Sequence, residues 1–147
     1  MTLGPRAFRP PHGGEDDGTL PGPPWYDRRV SEQCILCRIR DGAIAVRKLY
    51  EDDLVFAMDM PANSPYYLGP VHFMVVPKTH VESALHLTDD DAAVAGRLFA
   101  VAAKLAGEKG IAKTGFRLAT NAGPDANQTV FHFHLHCIGG RKLGHEG

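Results

Sequence analysis

Three histidines stand at alternate positions in the segment Gln128-Thr129-Val130-Phe131-His132-Phe133-His134-Leu135-His136-Cys137-Ile138. In an extended chain every second side chain shares a face. His132, His134 and His136 then lie on one face, with Phe131, Phe133, Leu135 and Cys137 on the other, against a core. The imidazole face is open to three readings: a solvated surface, a metal site, or acid–base and nucleophilic chemistry. Two histidines one residue apart can share an ion. The third lies ~13 Å from the first at the β rise, so one metal cannot take all three. At least one histidine is left for another task. Neutral imidazole, with an ordinary pKa of about 6.5, is a competent nucleophile near neutrality. Attack on phosphorus gives a phosphoryl-histidine and divides one hard displacement into two easier ones. Neighbouring imidazoles, with Gln128 and Thr129 just upstream, would supply donors to the phosphoryl oxygens.

A second pattern is Cys34-Ile35-Leu36-Cys37, a Cys-x-x-Cys knuckle that can present two thiolates to one ion. No second pair exists to complete a four-cysteine ribbon, and alternation turns Cys137 away from the histidine face. A tetrahedral zinc site would therefore take two cysteines and two histidines. His80, just past Pro77, and His132, at the start of the histidine segment, are the candidates. A redox-active pair and free structural thiols are the competing readings.

These groups need a scaffold. The chain has 147 residues, the size of one domain, and 44% hydrophobic residues. Its 16 basic and 17 acidic side chains give a net charge of −1, which argues against nucleic-acid or polybasic membrane binding. No apolar run approaches a membrane span, and no apolar leader is evident at the start. Three cysteines do not make a disulfide framework, so a reducing cytoplasm is the expected setting. Residues 1–30, rich in glycine and proline, read as a flexible tail that Trp25 and Tyr26 would dock, and residues 31–147 as the domain. Ser31 reads as the cap of a short helix carrying Cys34, Ile35, Leu36 and Ile39. Strands are expected over 45–50, 54–58, 71–76, 116–120 and 129–138. Thr79 and Glu82 have capping-box spacing for a short turn. Thr88 and three aspartates open a helix with Val94, Leu98, Val101 and Leu105 as its apolar stripe, ended by Gly107 or Gly110. Adjacent strands with short links predict an α+β fold with a five-stranded antiparallel meander and two main helices.

The motifs taken together resemble the histidine-triad (HIT) family, of the nucleotide-binding and hydrolase branch with a bacterial-type zinc site. Beside the triad, Cys34-Ile-Leu-Cys37, Met58-Asp59-Met60-Pro61, His72-Phe-Met-Val-Val-Pro77-Lys78-Thr-His80, Asn121-Ala-Gly123 and Gly139-Gly140-Arg141 are similar to family segments in the family's order. The resemblance covers roughly Cys34 to Arg141. It implies a homodimer whose sheets join into one. His134 would be the nucleophile, with His136 and His72 contacting phosphate and Thr129 assisting. Asp59, Asn121, Gln128, Leu36 and Ile39 would contact the nucleotide. Cys34, Cys37, His80 and His132 would hold a structural zinc, and no catalytic cofactor is implied. The sequence departs from the family between Pro65 and His72, where Tyr66-Tyr67-Leu68-Gly69-Pro70-Val71 replaces a much shorter link before a phosphate-contacting position. Tyr66 and Tyr67 would either stack on a substrate or pack at the dimer interface.

Two function classes follow. One is an enzyme that cleaves the α-phosphate bond of purine nucleotide conjugates, phosphoramidates or dinucleoside polyphosphates, and releases AMP or GMP. The other is a nucleotide-binding regulatory or scaffold protein with little turnover.

Overall fold

The structure is a computed structural model that describes residues 28–146. Most of the expected tail, with Trp25 and Tyr26, lies outside the described residues. The expected single helix capped at Ser31 is two six-residue helices, α1 (Arg28–Gln33) and α2 (Ile35–Arg40). Ser31 lies inside α1, and helix extends back into residues 28–30. The break falls at Cys34, whose extended backbone (φ −91°, ψ 120°) makes it the N-cap of α2.

Five strands follow: β1 (Lys48–Glu51), β2 (Val55–Asp59), β3 (Val71–Pro77), β4 (Phe116–Ala119) and β5 (Leu135–Gly139). All neighbours are antiparallel. The order is β1-β2-β3-β5-β4, so the expected meander holds only through β3. β5 inserts beside β3 and pushes β4 to the edge. Burial explains the choice: four of the five residues of β5 are buried, whereas all four of β4 remain half-buried. The more apolar strand takes the central place, where both faces are covered.

Between β3 and β4 runs the one long helix among the described residues, α3 (Ala92–Glu108), where two main helices had been expected. It is preceded by a 3₁₀ turn, Asp89–Asp91, closed by a capping box in which the Asp91 carboxylate accepts from the Thr88 N–H at 2.8 Å and hydroxyl at 3.1 Å. The turn expected at Thr79 and Glu82 forms instead at Ala84–His86, capped by Ser83 Oγ, which accepts from the Leu85 N–H. Past α3, Gly110 takes the left-handed conformation (φ +76°) that ends the helix. Leu98, Val101, Ala102, Leu105 and Ala106 are buried at helical spacing and pack on Val55, Ala57, Phe73, Val75, Leu135 and Cys137. The other face of the sheet packs Phe56, Met58, Met74 and Val76 against Leu36 and Ile39 of α2. α2 and its Cys34 are thus fixed on the face that carries His72.

The histidine segment departs from the expected strand 129–138. β5 begins at Leu135, paired with Val75. Two steps further the register would set Phe133 against Pro77, which has no N–H to donate, and the Phe133 N–H bonds instead to the Val81 carbonyl at 2.6 Å. Phe131, expected in the core, is 61% exposed. Phe133, Leu135 and Cys137 keep the expected alternation and are buried against α3.

Candidate active site and metal centre

The start of β3, which carries His72, and the start of β5, which carries His136 just after His134, bring the three histidines together. Ring centroids are 5.1 Å apart for His72 and His136 and 4.7 Å for His134 and His136. Backbone groups fix their protons. The carbonyl of His132 can only accept, so at 2.6 Å it holds the proton of His134 on Nδ1. The lone pair of neutral His134 is therefore on Nε2. Every buried side-chain nitrogen among the described residues has a hydrogen-bond partner. Nε2 of His134 has none, so it opens to solvent.

His72 runs the other way. The amide of Leu68 can only donate, and it points at His72 Nδ1 at 3.1 Å. The His72 proton is then on Nε2, which donates to Nδ1 of His136 at 2.9 Å. That leaves His136 with its proton on Nε2, a donor for a ligand beside the His134 lone pair. All three rings are held neutral. Burial lowers the pKa of His72, with the His134 charge adding. Burial likewise lowers His134 against the opposing bond to the His132 carbonyl. Burial, then the charges of His134 and His72, bring His136 down to about 3.

His132 turns away from this trio. Its Nε2–H donates to the carbonyl of Pro77 at 2.8 Å, which leaves Nδ1 as a bare lone pair. Nδ1 lies 3.4 Å from both Cys34 Sγ and Cys37 Sγ and 3.2 Å from His80 Nδ1, and Cys37 Sγ lies 3.5 Å from His80 Nδ1. The four donor atoms fall within 4.8 Å of one another. Tetrahedral zinc bonds to sulfur and nitrogen place neighbouring ligand atoms about 3.3–3.8 Å apart. These separations of 3.2–3.5 Å match that cage, and the carbonyl behind His132 is the orienting partner a ligating imidazole needs. These residues could hold a metal ion, and their chemistry fits zinc. Without metal the thiols titrate as a pair. A bond from Cys37, with help from His132 and His80, holds Cys34 far below the usual thiol value. That same bond, with burial, pushes Cys37 up.

The remaining expected site residues are placed differently. Asp59 lies opposite Phe73 in the register, on the α3 face of the sheet, and pairs with Lys109 Nζ at 2.8 Å. The structure does not bring it to the histidines' face. Leu36 and Ile39 are 3% and 4% exposed and are spent in the core under α2. Gln128 braces its own loop: its carbonyl accepts from Gly123 N–H at 2.9 Å, and its amide donates to the carbonyls of Glu82 at 2.7 Å and Val130 at 3.2 Å. Asn121 follows β4 at the start of the same loop. Thr129 is exposed and lines a cleft of about 430 Å³ with Cys34, His80 and Phe131, on the metal side. The groups that the sequence reading missed are main-chain atoms: the Leu68 amide and the carbonyls of His132 and Pro77. No residue type encodes them.

Fold and site define a histidine-triad protein, and the HIT-domain family model matches residues 42–143, so the chain belongs to the HIT family. Among curated relatives, purine nucleoside phosphoramidase of Escherichia coli K12 is 33% identical over 116 residues, spanning 78% of this chain and 93% of that protein. An uncharacterized HIT-like protein of Synechococcus elongatus is 35% identical over 114 residues, spanning 78% and 96%. Among solved structures, a HIT family hydrolase from Clostridium thermocellum superposes with a TM-score of 0.73 at 34% identity, covering 78% of this chain and 96% of that one. A histidine triad protein from Clostridium difficile gives 0.72 at 37% identity, with the same coverage. These likenesses support a hydrolase.

Proposed function

We propose that the chain hydrolyses purine nucleotide conjugates at the α-phosphorus through a nucleotidyl-His134 intermediate, phosphoramidates being the substrate class favoured. The observation that carries this reading is the lone pair on His134 Nε2. It is neutral and solvent-open, beside the Nε2–H of His136. Nε2 attacks phosphorus, and the P–N bond breaks. The leaving amine departs with the electron pair and takes a proton from water. The imidazolium so formed keeps its Nδ1–H on the His132 carbonyl, which stabilises the charge. His136 Nε2–H donates to a non-bridging oxygen, so the site stabilises the transition state more than the ground state. A water then attacks phosphorus, the P–Nε2 bond breaks with its electron pair returning to Nε2, the proton that water loses neutralises the hydroxide left by the first step, and nucleoside monophosphate leaves.

In this reading zinc is structural. Bound by Cys34, Cys37, His80 and His132, it cross-links α2 to the end of β3. It also fixes the residue whose carbonyl orients His134. The exposed edge of β4 is where two copies would join their sheets into a homodimer. The phosphoramidase name of the Escherichia coli relative supports the substrate class. The test is release of nucleoside monophosphate from adenosine 5′-phosphoramidate. Release by the wild type that is abolished in His134→Asn is expected. Binding of the nucleotide without release by the wild type would replace the enzyme with the regulatory reading.

A further inference from the structure

The segment from Tyr66 to Val71, which departs from the family pattern, is tied down group by group. Ser64 Oγ accepts from the Tyr66 N–H at 3.2 Å, and the Ser64 carbonyl accepts from the Tyr67 N–H at 3.1 Å. The Tyr67 hydroxyl donates to the Pro70 carbonyl at 2.8 Å. The loop then seats closely on the end of β5. A Cβ on Gly69 would stand 3.2 Å from the Gly139 carbonyl oxygen, and one on Gly140 (φ +83°) would stand 3.2 Å from Pro70 Cβ.

On this seat Arg141 closes the contact. Its Nε and Nη2 both donate to the Leu68 carbonyl, at 3.1 and 2.7 Å, while Nη1 donates to the Lys142 carbonyl at 3.1 Å. The N–H of this same Leu68 donates to His72 Nδ1. One residue thus accepts from a permanent cation and donates to an imidazole. The amide and carbonyl of Leu68 belong to adjacent peptide planes joined at its Cα, so pinning the carbonyl restricts where the amide can point.

We propose that Arg141 is a positioning residue: by clamping Leu68 it holds the His72 proton on Nε2 and so aims the His136 proton into the site. The order is guanidinium, Leu68 carbonyl and amide, His72, His136. A His72 protonated on Nδ1 would set its N–H against the Leu68 N–H and would turn its Nε2 lone pair on His136, drawing the His136 proton to Nδ1 and out of the site. The other titratable or charged groups that face His72 are His134 and His136 from the β5 segment and Tyr67, whose ring centroid lies 6.0 Å away. Neither His134 nor Tyr67 bonds to His72 Nδ1, so the Leu68 amide alone selects the tautomer.

The inference rests on the hydrolytic reading only for its kinetic arm, and the decisive measurement is spectroscopic. Long-range ¹H–¹⁵N correlation of the imidazoles is recorded on the zinc-loaded chain for wild type, Arg141→Ala and Arg141→Lys. In wild type, His72 and His136 are expected in the Nε2–H form and His134 in the Nδ1–H form. In Arg141→Ala, His72 and His136 should shift to mixed tautomers while His132 and His134 keep theirs, which controls for a general loss of structure. Lysine, able to give one donor to the Leu68 carbonyl, should restore part of the population. Where adenosine 5′-phosphoramidate is turned over, loss of this hydrogen-bond pair should lower kcat about tenfold with KM little changed, and Lys should recover part of it. Wild-type His72 protonated on Nδ1, or unchanged His72 and His136 tautomers in Arg141→Ala, would overturn the proposal. Altered tautomers in a chain without turnover would sustain it and refute the hydrolase reading.

Discussion

Acid should unfold this protein by charging His136, and the size of the effect can be worked from the site. In the fold its pKa is held to about 3, against 6.5 for the free side chain, by burial and by the neighbouring His134 and His72. The unfolded chain therefore takes the proton first. The contribution to stability is complete above pH 6.5 and is lost as pH falls from there towards the folded value. Between about pH 6.5 and 4.5 the loss is ~1.4 kcal/mol per unit, or ~2.7 kcal/mol, and partial solvation of the ring reduces it to about 2 kcal/mol. Carboxylates contribute little in this window. Asp52, at about 2, and Glu51, lowered by Lys48 and Lys78 against the opposing effect of burial, lose their stabilisation at lower pH. The assay is urea unfolding near pH 7.5 and pH 4.5 for wild type and His136→Gln, whose carbonyl can still accept from His72. Metal release in acid is common to both chains and cancels in the difference. Wild type should lose about 2 kcal/mol more than the variant across this range. Equal losses would show that His136 titrates normally, and the neutral, directed site would be wrong.

Four further outcomes follow from the same structure. Chelation should expose Cys34 and Cys37 to a thiol reagent together, while Cys137, buried and with its thiol pushed up to about 11, stays slow. Zinc at a hundredfold excess over its Kd should add ~2.7 kcal/mol to the stability of the apo-protein, and Cys37→Ser should abolish that gain in a thermal-shift titration. Leu98→Ala removes a side chain with no exposure from the α3–sheet core and should cost about 2–5 kcal/mol by urea denaturation. Asp91→Ala deletes both bonds that close the capped turn leading into α3 and should cost about 1 kcal/mol in the same assay.

Much of the site was legible because its chemistry sits in side-chain types at fixed spacings. The alternating histidines, the Cys34–Cys37 knuckle and His80 just past Pro77 converge as their spacing predicts, with His132 given to the metal centre. The amphipathic stripe of α3 was equally plain, since Leu98, Val101 and Leu105 recur at helical spacing. Strand order was not legible. Local pattern cannot tell whether the strand after a crossover pairs with β3 or waits for β5, because that depends on which of two apolar segments gains more from the centre. The start of β5 was missed for a specific reason: alternation runs through His132, but the ladder ends where the facing residue is Pro77. The side of the sheet that Asp59 takes was not legible either, as it follows from register with Phe73 rather than from residue type. The atoms that fix the imidazole protons belong to the main chain, and main-chain roles leave no mark in composition.

The account turns on His134 as a nucleophile rather than a base that activates water. The direct measurement is the stereochemical course at phosphorus for a P-chiral adenosine phosphoramidothioate hydrolysed in isotopically labelled water. Two in-line displacements, through nucleotidyl-His134, predict net retention of configuration. Net inversion would mean a single attack by water and would contradict the account.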